Sequence, residues 1–109
     1  MKRLKIEGVI VPLLTPLRED KLDHDATAAL IEHVIRHGVR GLFPLGTTGE
    51  GPLFTLAERK QFAEWVVQSA DGRIPVIIHS GTITTAETID LSRHARDAGA
   101  DAVAVVPPY

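Results

Sequence analysis

Three glycines, Gly38, Gly72 and Gly99, each stand where an apolar helical pattern stops, and each is followed within a few residues by a short apolar run. The interval is roughly 30 residues, the size of one strand–helix unit. Few folds tolerate that pattern. Strands this apolar must be buried on both faces, and the helices between them force parallel pairing. The expected class is therefore α/β, a parallel sheet covered by helices, either doubly wound or part of an eight-stranded barrel.

The units can be followed in order. Val9-Ile10-Val11-Pro12-Leu13-Leu14 reads as a first buried strand, ended by Thr15-Pro16, with a polar connection over residues 18–22. Asp23 suits the N-cap of a helix running to about His37, with Leu30, Ile31, Val34 and Ile35 as its apolar stripe. A second strand, Gly41 to Leu45, leads to Thr55-Leu56-Ala57-Glu58, a capping box. Phe62, Ala63, Val66 and Ala70 then line the inner face of a helix closed by Asp71-Gly72. The third unit has a strand at Pro75 to Ile78, a loop at His79 to Ile83, a second capping box at Thr84 to Glu87, and a helix to Ala98. A fourth strand follows at Ala102 to Val106, and Pro107-Pro108-Tyr109 opens another loop.

Four such strands would leave two unpaired edges and a bare apolar face, and an eight-unit barrel needs about 250 residues. The expectation is one incomplete domain, residues 1–109, a piece of a longer enzyme. Composition narrows the function classes. The net charge is -2 and the basic residues are scattered, which argues against a nucleic-acid partner. No apolar stretch is long enough to span a membrane, and no basic-then-apolar leader opens the chain. The absence of cysteine excludes thiolate metal sites and fits a cytoplasmic location.

The stretch with chemical promise is Gly46-Thr47-Thr48-Gly49-Glu50, between the second strand and its helix. Two glycines allow a tight turn, and adjacent hydroxyls with backbone amides can donate to a carboxylate or phosphate oxygen. Other signals are weaker. His33 and His37 lie four apart on one helix but lack a third ligand, so they read as a solvated face. His79 and Ser80, as strand neighbours, point to opposite faces and do not form a hydrolytic pair; His79 is expected to pack near the site rim. Trp65 lies off the main stripe and is expected to face a neighbouring helix or subunit.

The sequence resembles the dihydrodipicolinate synthase and N-acetylneuraminate lyase family of pyruvate-using Schiff-base aldolases, which are built on the (β/α)8 TIM barrel; the resemblance implies that residues 1–109 are the N-terminal part of such a barrel. The resemblance runs through Val11-Pro12-Leu13-Leu14-Thr15-Pro16, the glycine-flanked threonines, Leu56-Ala57-Glu58-Arg59, Gly99-Ala100-Asp101 and Val106-Pro107-Pro108-Tyr109. It implies that Thr47 belongs to a hydroxyl proton relay, that Thr48 holds the pyruvate carboxylate, and that Tyr109 completes the relay in a neighbouring subunit. It further implies a homo-oligomer, dimer or tetramer, acting on pyruvate and a small aldehyde or 2-keto acid, with no metal or organic cofactor. The family's nucleophilic Lys, on the sixth strand, and its second Tyr have no counterpart here. Lys2, Lys5, Lys21 and Lys60 are the only lysines, and none lies at a strand end. Ile83 replaces the Asn of lysine-inhibited synthases, and Pro108 replaces a Tyr, which argues against feedback inhibition by lysine; Glu87 matches an acidic position of that inhibitor site. His79-Ser80-Gly81 is closer to the lyase-like branch. A contrasting possibility is a non-catalytic half-barrel that self-associates and binds at most a small anion.

Overall fold

In the computed structural model, which describes residues 5–107, the first unit begins with β1 (Ile10–Pro12). The expected polar connection is instead a small hairpin. Its strands β2 (Leu17–Arg18) and β3 (Lys21–Leu22) pair antiparallel, with Leu17 opposite Leu22. Glu19 and Asp20 turn it with φ of 52° and 64°, the doubly left-handed turn that matches the twist of paired strands. Helix α1 (His24–Arg36) follows, and the Asp23 side chain accepts from the Ala26 amide at 2.9 Å, as expected of its N-cap.

The next elements are β4 (Gly41–Phe43), α2 (Leu56–Ala70), β5 (Ile77–His79), α3 (Thr85–Ala98) and β6 (Ala102–Ala104). β1 and β4 pair in parallel with Val11 opposite Leu42, and β5 and β6 pair in parallel with Ile78 opposite Val103. A parallel bridge between Leu42 and Val76 joins the two pairs. Around it the Leu42 amide donates to Pro75 O at 3.0 Å and the His79 amide to Pro44 O at 3.2 Å. The strand order β1-β4-β5-β6 thus follows the chain without reversal.

The regular ladders are shorter than the apolar runs that announce them. Pro44 has no amide to give, and Leu45 turns left-handed (φ 66°), so β4 stops at Phe43 although Leu45 is fully buried. The core lies between the sheet and the helices. Ile31 from α1, Phe62 and Val66 from α2, and Ala95 from α3 pack with Leu42, Val76 and Ile78 from the sheet. Helix α2 packs between α1 and α3. On β6, exposure alternates with a period of two, so Val103 and Val105 stand out on the side away from the covered face.

Helix boundaries follow side-chain chemistry. Thr55 and Glu58 make the full reciprocal capping box on α2, each side chain satisfying the other's amide. The second expected box is only half made. The Thr84 hydroxyl accepts from the Glu87 amide, but the Glu87 carboxylate accepts from the Thr84 hydroxyl, and the Thr84 amide is taken by Thr82 Oγ1. Trp65 meets the His24 ring edge-on at 4.8 Å, which settles its neighbour as α1. Lys60–Asp90 and Glu64–His94 pair α2 with α3 at 2.8 and 2.9 Å.

Phe62 is fully buried at the centre of this packing. Phe62→Ala is expected to lower the unfolding free energy by about 3–5 kcal/mol, through lost transfer energy and a cavity that α2 cannot close. The shift of the urea midpoint at unchanged slope measures it.

Candidate functional site

All four parallel strands end at one rim, and the rim is held together mainly by backbone contacts. After β1, the Leu13 amide donates to Phe43 O at 3.0 Å, and the Thr15 hydroxyl donates to Gly49 O at 2.6 Å. After β4, the loop folds on itself: the Glu50 amide donates to Thr47 O at 3.0 Å and the Gly51 amide to Gly46 O at 3.1 Å. Two of the loop's amides are therefore spent on its own turns.

The glycines here are required by space. A Cβ on Gly49 would lie 2.7 Å from Leu13 O, and one on Gly51 only 1.9 Å from Leu45 O. Backbone therefore packs directly on backbone beneath the loop. Above that layer Thr47 and Thr48 are both exposed, side by side on the rim, where the sequence puts its candidate anion-binding hydroxyls. Thr48 lines a cleft of about 410 Å³ with Leu14, Thr15, Pro16, Leu30 and Glu50. Tyr109, the third candidate, lies outside the described residues.

Beneath the rim two residues have a larger part than their sequence positions announce. His79, at the end of β5, is 2% exposed, with Nδ1 2.8 Å from Leu45 O and Nε2 3.2 Å from the Val106 amide nitrogen. Arg59 is 3% exposed and donates through its terminal nitrogens to Gly81 O and His79 O, both at 2.9 Å. Its Nε has no hydrogen-bond partner among the described residues. Arg59 falls on the same helical stripe as Phe62, Ala63 and Val66, so a charge at an inward position was the available signal. The cavity beside it, about 330 Å³, is lined in part by Leu56, Ile83, Glu87 and Val106. Of the three positions compared with the lysine-inhibited synthases, Ile83 and Glu87 therefore share one cavity, and Pro108 lies outside the described residues.

Burial pushes the His79 imidazole below its ordinary range. The Leu45 carbonyl opposes the shift and the Arg59 charge adds to it. Burial likewise lowers the Arg59 guanidinium, opposed by the Glu87 charge. Ser80 is buried and turned the other way, 2.8 Å from Ser92 Oγ. Ser92 donates its single proton to Thr88 O, so Ser80 donates to Ser92, and no His79–Ser80 couple exists. The His33 and His37 rings lie 4.3 Å apart on the exposed face of α1, with His37 Nδ1 2.7 Å from His33 O. No group of side chains able to hold a metal occurs among the described residues, and no helix among them is long and apolar enough to cross a membrane.

Comparison with known proteins gives a consistent result. The model of the dihydrodipicolinate synthetase family matches residues 5–109. The chain is 48% identical over 102 residues to the 4-hydroxy-tetrahydrodipicolinate synthase of Phenylobacterium zucineum (strain HLK1), covering 94% of this chain and 35% of that protein. Among solved structures, dihydrodipicolinate synthase from Aquifex aeolicus superimposes with a TM-score of 0.92 at 40% identity, over 95% of this chain and 36% of that one. A prophage protein of the dihydrodipicolinic acid synthase family from E. coli K12, solved in complex with pyruvate, gives 0.91 at 45% identity, over 94% and 35%. The chain spans about a third of the length of these relatives, and its fold is the N-terminal part of their barrel.

Gly51→Ala is expected to disrupt the loop and reduce folded yield, whereas Gly38→Ala, where a Cβ meets nothing within 4 Å, costs only the left-handed backbone preference, about 1 kcal/mol. Thermal unfolding of the two variants side by side separates them. Burial holds the folded His79 imidazole below its ordinary value near 6.5, so the unfolded chain binds more protons once the pH falls below that value. Its contribution is fully present above that value and is lost as pH falls from there through the lowered folded value. The expected extra slope is at most about 1.4 kcal/mol per pH unit. Comparing unfolding free energies of the parent and His79→Asn between pH 7.5 and pH 5 isolates it.

Proposed function

Because the chain belongs to the dihydrodipicolinate synthetase family, we propose that it supplies the pyruvate-binding half of a Schiff-base aldolase or synthase. The observation that carries the reading is the exposed Thr47–Thr48 pair at the strand ends, on a loop whose backbone is packed too tightly to shift. In this reading the amine of a Lys from the remainder of the barrel adds to the pyruvate ketone. Loss of water gives an iminium, which withdraws electrons so that the methyl carbon releases a proton and becomes an enamine. The enamine forms a carbon–carbon bond to an aldehyde, or the steps run in reverse to cleave a 2-keto acid.

The residues of this chain have two tasks. Thr48 donates to the pyruvate carboxylate, which fixes the keto carbon before the amine. Thr47 and Tyr109 pass protons, because a hydroxyl both donates and accepts and can move a proton without carrying net charge. Tyr109 comes from a neighbouring subunit, so the working enzyme is a homo-oligomer, dimer or tetramer, in the cytoplasm. The reaction as written needs no metal or organic cofactor.

Borohydride added to the full-length protein with pyruvate is expected to leave a covalent mass increase on one Lys beyond Tyr109. A folded full-length protein that gains no such mass counts heavily against the aldolase reading. In the active enzyme Thr48→Val is expected to raise the KM for pyruvate about 10- to 100-fold, the worth of a hydrogen bond to a charged group. Thr47→Val is expected to lower kcat about 100-fold or more with little change in that KM. Steady-state kinetics with aspartate semialdehyde, a sialic acid and a 2-keto-3-deoxy sugar acid identifies the partner substrate.

A further inference from the structure

His79 lies between the segment after β4 and the segment after β6. Its Nδ1 faces Leu45 O at 2.8 Å, and Leu45 stands two residues before Thr47. Its Nε2 faces the Val106 amide at 3.2 Å, and Val106 stands three residues before Tyr109. A carbonyl can only accept and an amide N–H can only donate, so the two contacts together fix the ring: the proton is on Nδ1 and the lone pair is on Nε2. The nearby Arg59 nitrogen, 3.4 Å from Nδ1, is then a donor facing a donor and takes no part in the bonding; its hydrogen bond runs to His79 O instead.

The surroundings preserve this arrangement. Leu45 is left-handed, which takes its carbonyl out of the strand ladder, and among the described contacts His79 is its hydrogen-bond partner. Gly81 keeps the space open, since a Cβ there would lie 2.8 Å from His79 Nε2 and 3.1 Å from Val106 O. Phe43 closes another side with its ring edge-on, 6.2 Å away. A phenyl ring would fill the same volume but strand the Leu45 carbonyl and the Val106 amide without partners.

We propose that His79 is a positioning residue, a neutral two-sided strut that sets the spacing between the loop after β4 and the loop after β6. Its consequence for catalysis rests on the aldolase reading, with Thr47 two residues after Leu45 and Tyr109 three residues after Val106 in sequence. The strut itself does not.

The experiment uses the full-length protein and three variants, read by amide hydrogen exchange over residues 45–50 and 105–106. His79→Phe is expected to speed exchange about tenfold or more in both segments and to leave α1 unchanged. His79→Asn retains a donor at the Nδ1 position and restores protection to 45–50 alone. His79→Gln retains an acceptor near the Nε2 position and restores protection to 105–106 alone. If Phe leaves both segments protected, or if Asn and Gln loosen both alike, His79 is only packing and the proposal fails. Should the Phe variant not fold, nitrogen NMR of the parent decides: Nδ1 protonated with Nε2 bare at pH 7 supports the strut, and the opposite tautomer or an imidazolium overturns it. The rate of forming the borohydride-trapped pyruvate adduct, at saturating pyruvate, is expected to fall in all three variants. Lack of any adduct in the parent counts against the aldolase reading, while exchange and tautomer still judge the strut.

Discussion

The direct contact of backbone on backbone beneath residues 46–51 is the constraint from which the rest of the rim follows. Gly49 against Leu13 O and Gly51 against Leu45 O leave no room for side chains, so the loop has one way to lie. That layer is reached through a left-handed Leu45, which costs about 1–2 kcal/mol for a residue with a Cβ. Burying the whole leucine side chain returns about 1.5–3 kcal/mol, and the His79 hydrogen bond adds about 1 kcal/mol. The strained residue is therefore carried by packing and does not weaken the loop. Thr15, donating to Gly49 O, ties the same loop to the end of β1. Two exposed hydroxyls thus stand on a rigid base, the condition a small charged substrate needs if its reacting carbon is to be held in place.

Much of this was legible in the residues. The glycine stops at 38, 72 and 99, the stripe on α2 and the Thr55–Glu58 cap fixed the strand–helix repeat, because each is a local signal with a local cause. What stayed hidden depends on contacts far apart in sequence. The β2–β3 hairpin escaped notice because Glu19 gives no hint of a positive φ, unlike the Asn-Gly or Asp-Gly that usually marks such a turn. The early end of β4 depends on Leu45, whose conformation is decided by Gly51 and His79, six and 34 residues away. The half-made cap on α3 has the right residues at the right spacing. There Thr82, two residues upstream, takes the amide that the box would have used.

Arg59 and His79 show how a buried charge can be made useful without an ion pair at hydrogen-bond distance. The guanidinium is desolvated, a cost offset by its hydrogen bonds to the carbonyls of His79 and Gly81 and by the charge of Glu87 across the cavity. Its position next to the imidazole has a second effect. A proton arriving at His79 would lose its hydration and share a dry site with a fixed positive charge, and both effects favour the neutral ring. Only the neutral ring offers a donor to Leu45 and an acceptor to Val106 at once, since an imidazolium would present a second N–H to the Val106 amide. The arginine thereby helps keep the histidine in the one protonation state that can hold both loops. A charge inside the helix stripe, which alone would only destabilise, becomes part of how the rim keeps its shape.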